Sequence, residues 1–134
     1  MPTPELSMIA QGELPSGHRW TITAGGSPED FSTMLETVHP DGHQDSGGLG
    51  GPLLYPDSAL NTYIGADSRG LRRVLIRARP RVAKVRLTLG TGEAIDLAPI
   101  PVPGVDVVVF ARLLPWASEV VSVDAFTMGG RAIR

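Results

Sequence analysis

The chain of 134 residues contains no cysteine. Disulfide scaffolds, thiolate zinc sites, iron–sulfur clusters and cysteine nucleophiles are excluded together, and the composition suits a reducing compartment. Aromatics are scarce: two Trp, two Tyr and three Phe are too few to line the cleft of a glycosidase. No apolar run approaches the roughly 20 residues that a membrane helix needs. The start, Met1 to Gln11, carries neither the basic stretch nor the apolar stretch of a secretory signal. A soluble, cytoplasmic protein with no membrane partner is therefore expected. Histidine is confined to His18, His39 and His43, and no Gly-x-Ser-x-Gly occurs, so nucleophilic catalysis has little to work with. The expected protein is not an enzyme and uses no cofactor.

Turn formers are abundant, with 16 Gly and 12 Pro, and they punctuate short stretches of period-two hydrophobicity. Arg19 to Ala24 alternates, as do Lys84 to Leu89 and Ile95 to Leu97, the pattern of half-buried strands. Pro40-Asp41-Gly42 between Thr33–His39 and His43 predicts a hairpin, because Gly supplies the positive φ of the turn. Ser27-Pro28-Glu29-Asp30 predicts one helical turn, from a capping Ser, a Pro at the first helical position and acids after it. Four glycines within 47–51 exclude a helix or a central strand there. Pro99, Pro101 and Pro103 predict an extended connector without ladder bonds. Val105 to Leu114 is apolar on both faces apart from Asp106 and Arg112, which fits a central strand.

Turn signals recur about every 8–12 residues and no βαβ rhythm appears, so the predicted fold is all-β: an antiparallel β-sandwich of about eight or nine short strands, with a small barrel as the alternative. At this length one core suffices without a staple. Residues 1–16, rich in Pro and without periodicity, are expected to form an arm, and 17–134 a single sandwich domain.

Net charge is −2, which hides an asymmetry. Residues 1–70 carry −7 and residues 71–134 carry +5. Arg69, Arg72, Arg73, Arg77, Arg79, Arg81, Lys84 and Arg86 run without an acid among them, and Arg suits planar bidentate contact with carboxylate or phosphate. On alternating strands, Arg72, Arg73, Arg77, Arg79, Arg81, Lys84 and Arg86 are the candidate partner-binding residues. The expected partner is a protein with an acidic surface, or a second copy through its own acidic half, docking on this face or on an unpaired edge strand. Nucleic acid or another polyanion ranks lower, since no aromatic falls within the stretch to stack on bases. The docking expectation depends on the surface placement of Arg77, Arg79, Arg81, Lys84 and Arg86.

A second alternative is a small ligand or metal at the hairpin, where His39, Asp41, His43 and Asp45 offer imidazole and carboxylate. Turn chemistry already accounts for the Asp and Gly there, so no metal is assigned. The glycine loop 46–52 has neither the Lys-Ser or Lys-Thr nor the helix of a phosphate-binding loop.

Val82 to Leu87 up to Gly92, Phe110-Ala111-Arg112-Leu113-Leu114-Pro115, and Val121 to Ala125 up to Gly129-Gly130-Arg131 resemble actinobacterial immunoglobulin-like β-sandwich domains of unknown function. The resemblance covers about the last 55 residues and rests on alternations and turns that sandwiches share. It implies a sandwich and a high-GC bacterial source, and carries no catalytic residue onto this chain.

Overall fold

The computed structural model describes residues 6–66 and 70–133. It is all-β: no helix occurs among these residues, and the strands form three antiparallel sheets, each open. The chain packs as two compact units, Met1–Leu53 and Leu54–Arg134.

The first unit is a meander. Strands β1 (Ser7–Glu13), β2 (Arg19–Ser27), β3 (Asp30–Val38) and β4 (Gln44–Leu49) pair in sequence order. Side chains alternate between the two faces of a strand. Ile22, Ala24, Phe31, Thr33, Leu35 and Thr37 therefore share one face, and all are buried. The other face carries Glu13, Arg19, Thr21, Glu36, Gln44 and Ser46. A shallow depression of about 440 Å³ lies there, with Thr21, Glu36, Val38 and Gln44 among its walls.

Two expectations for this unit change. Part of the segment read as an arm is strand β1, paired with β2 from Ser7↔Ala24 to Glu13↔Arg19. Residues 1–5 lie outside the described residues. The helical turn after Ser27 is a hairpin turn: Ser27 pairs with Asp30, and the Ser27 hydroxyl accepts the Asp30 N–H at 3.2 Å. The glycine segment contributes Gly47 and Gly48 to β4, an edge strand rather than a central one. A Cβ at Gly48 would collide with the Thr33 carbonyl, so the missing side chain is what lets β3 and β4 approach. The predicted hairpin at 39–43 forms, with Gly42 at φ 90° and its N–H on the His39 carbonyl at 2.9 Å.

The second unit is sandwich-like, with two four-stranded sheets around one core. One sheet has the order β5-β6-β10-β9, from β5 (Leu60–Ala66), β6 (Leu71–Ala78), β10 (Val108–Pro115) and β9 (Ile100–Pro101). The other has the order β12-β11-β7-β8, from β12 (Ala132–Ile133), β11 (Val120–Phe126), β7 (Lys84–Leu89) and β8 (Ala94–Leu97). Val74, Ile76, Ala78, Phe110 and Leu114 from the first sheet meet Val85, Leu87, Leu89, Leu97 and Ala125 from the second. Each fully buried Val, Leu or Phe contributes about 1.5–3 kcal/mol, so this cluster is the principal stabilising element of the unit. The proline connector is not wholly unpaired, since Ile100 and Pro101 pair with Val109 and Val108.

Candidate functional site

The basic stretch does not form one face. β6 belongs to one sheet and β7 to the other, and the turn at Pro80 and Arg81 carries the chain between them. β6 is also buried on both sides. Arg73 and Arg77, opposite the core residues Val74 and Ile76, are 2% and 0% exposed. Burial lowers the Arg77 guanidinium from its ordinary value, and Tyr55 partly offsets this. Both arginines are engaged within the chain. Arg69 lies outside the described residues.

Arg79 is a structural clamp. Its Nε donates to the Ser58 carbonyl at 3.0 Å, and its Nη2 to the Tyr55 and Pro56 carbonyls at 3.2 and 3.1 Å. These three bonds hold the 55–58 turn, which the Ser58 N–H also closes on the Tyr55 carbonyl.

Lys84 and Arg86 lie on the outer face of the other sheet. Arg86 grips Asp96 through Nε to Oδ1 at 2.7 Å and Nη2 to Oδ2 at 3.2 Å, and Lys84 Nζ stands 3.6 Å from Oδ2. Both cations also lie against the Phe126 ring, 5.0 and 5.5 Å from its centre. The pairing follows from the register, in which Arg86 faces Asp96 on one side and Asp124 on the other. Their charge is answered locally, so neither adds to a basic field. Of the five residues on which the docking expectation depended, only Arg81 is exposed without a protein partner among the described residues.

The Arg86 hydrogen bond holds the Asp96 carboxyl below its usual range, assisted by the charges of Arg86 and Lys84 against an opposing desolvation. A depressed carboxylate stabilises the fold above its unfolded value, near pH 4, and the contribution is lost as pH falls through the folded value. Thermal melts of wild type and Asp96→Asn should therefore differ by a constant amount from neutral pH to about pH 5 and converge in stronger acid. A difference that persists unchanged in strong acid would refute the assignment.

Arg72 differs from its neighbours. It lies under the Trp116 ring at 5.3 Å, and its Nη2 donates to the Trp116 carbonyl at 3.1 Å. The Trp116 N–H is bonded in turn to the Gly70 carbonyl at 3.0 Å. Trp116 is 57% exposed. No acidic partner meets Arg72 among the described residues, and its Nε is buried without an acceptor. The register sets Ile64, Val74 and Arg112 in one row and Ala66, Arg72 and Leu114 in the next, on the same face. Arg112 is exposed, and it too meets no carboxylate among the described residues. Sequence reading left both Arg112 and Trp116 out of the candidate partner-binding residues. Only the β6–β10 register brings them beside Arg72.

The hairpin histidines form a polar cluster. His39, 5% exposed, places Nε2 2.9 Å from Asp45 Oδ2, and His43 Nε2 stands 3.3 Å from the same oxygen. His18, which the hairpin pattern did not include, packs edge-on to His39 with ring centres 4.8 Å apart, and its Nδ1 lies 2.7 Å from the Ser16 hydroxyl. Asp41 Oδ1 accepts the His43 N–H at 3.0 Å, the turn role that its position suggested. Among the described residues, no three of His, Asp and Glu are disposed to hold a metal ion. The Asp45 oxygen itself is the point on which the two imidazoles converge.

No family model matches this chain, and neither does any curated protein or solved structure. The class that the fold defines is an all-β protein with a sandwich-like second unit. No helix among the described residues is long and apolar enough to cross a membrane.

Proposed function

We propose that this chain is a non-enzymatic docking module that recognises a protein partner with an acidic surface. The observation that carries the reading is the pair Arg72 and Arg112, two guanidinium groups on neighbouring strands with no carboxylate opposite either among the described residues, beside an exposed Trp. Like charges on adjacent strands repel, and a partner carboxylate relieves that repulsion. Trp and Arg are also the side chains over-represented where binding energy concentrates. The immunoglobulin-like character suggested by the last 55 residues and a cytoplasmic setting, suited to a chain without cysteine, belong to the same proposal.

A polyanion reading is weaker. Such ligands need an extended run of free cations, whereas Arg73 and Arg77 are buried and Lys84 and Arg86 are answered by Asp96. The test is retention from a native-source lysate on immobilised wild type beside an Arg72→Glu, Arg112→Glu double variant, at low and moderate salt. A defined protein retained by wild type and lost by the variant is the expected result. Equal retention by both baits would overturn the reading. So would retention of bulk nucleic acid that disappears at moderate salt.

A further inference from the structure

We infer that the Arg72–Trp116 end of the second unit is a binding site for an extended acidic peptide segment in which a carboxylate side chain neighbours an apolar one. This rests on the docking reading above and gives that partner its chemistry. The site has three parts. Trp116 supplies an apolar platform whose position is fixed from both sides of its backbone: its N–H is held by Gly70 and its carbonyl by Arg72. A preorganised aromatic ring loses little freedom on binding, which is why such side chains serve as anchors. Arg72 supplies charge. Its Nη2 is spent on the Trp116 carbonyl, and its Nη1 meets no acceptor among the described residues. Arg112 supplies a second charge, diagonal to Arg72 across the β6–β10 pair. Ile64, 40% exposed, shares this face in the same row as Arg112.

Charge complementarity commits the occupant. Two guanidinium groups without carboxylates among the described residues match one or two acidic side chains, and the exposed Trp116 ring beside Arg72 matches an aliphatic neighbour. A phosphate backbone would need its charge met along several repeats. Of the other described cations of the stretch, all but the lone exposed Arg81 are buried, clamped or paired.

The experiment uses the whole chain labelled with 5-fluorotryptophan, which gives one fluorine resonance for each of the two tryptophans, assigned with Trp116→Phe. The probe is a short peptide alternating glutamate and leucine. Titration should move the Trp116 resonance and leave that of Trp20 in place. Arg72→Gln, Arg112→Gln and the glutamine version of the peptide should each weaken binding by about tenfold or more, the effect of losing a charge-assisted hydrogen bond. An unmoved Trp116 resonance would overturn the inference, as would equal binding of the glutamine peptide or stronger binding of oligothymidylate. Because lysate retention reads the docking module independently, a protein captured through Arg72 and Arg112 without any response to the peptide would sink the acidic-peptide chemistry alone. Loss of both signals would remove the docking reading with it.

Discussion

Truncating Phe110 to alanine is expected to cost about 3–5 kcal/mol of stability. Phe110 is fully buried in β10, the strand that fills its sheet between β6 and β9, and it belongs to the cluster joining the two sheets of the second unit. Removing the ring forfeits its transfer free energy. It also leaves a cavity between layers that are each tied by ladder hydrogen bonds, so the walls can close only partly. Urea unfolding should show a lower midpoint with an unchanged slope, since the surface exposed on unfolding barely alters. Phe110→Leu should lose markedly less. A Phe110→Ala variant as stable as wild type would mean that the two sheets do not share this core.

The second large effect is expected at Arg77. Its side chain is wholly buried on the β6 face away from the core cluster, between Asn61 and Val109 in the cross-strand register. Arg77→Ala removes a long side chain from a filled space and strips its charge from the groups it engages. The expected loss is about 2–5 kcal/mol. Arg77→Met keeps most of the volume and discards only the charge, so it should fall between wild type and alanine. The measurement is again the urea midpoint, with the lysate assay as a control for recognition. If Arg77→Ala unfolds with wild type, the buried guanidinium adds nothing to stability and its retention needs another explanation.

These two positions also show what a linear reading can and cannot see. The alternation from Lys84 to Leu89 announced β7 because one face of that strand is in water and the other is in the core. Gly42 announced its hairpin because a positive φ is nearly a glycine property. β1 was invisible because Ser7 to Glu13 has little pattern of its own and exists as a strand through its pairing with β2. Ser27 misled in an instructive way. Its hydroxyl makes the same contact three residues ahead that caps a helix, yet the chain reverses there into β3. Charge was the least legible property. Arg73, Arg77, Arg79 and Arg86 have the same side chain within 14 positions, and their surroundings differ entirely: two are buried, one is hydrogen-bonded to carbonyls, and one is paired with an acid. Strand pairing decides which, and pairing is not written locally. The Arg72, Arg112 and Trp116 arrangement is likewise a product of register between strands 40 residues apart.

The Arg79 clamp has a consequence for how the gene can drift. Its three acceptors are main-chain carbonyls of Tyr55, Pro56 and Ser58, and every amino acid supplies a carbonyl. The turn from 55 to 58 is thus free to vary in sequence so long as it keeps its path, while the residue that holds it is not. Lysine carries the same charge but lacks the planar fork that reaches three acceptors at once. Relatives of this chain should therefore differ widely at the turn and keep arginine at position 79.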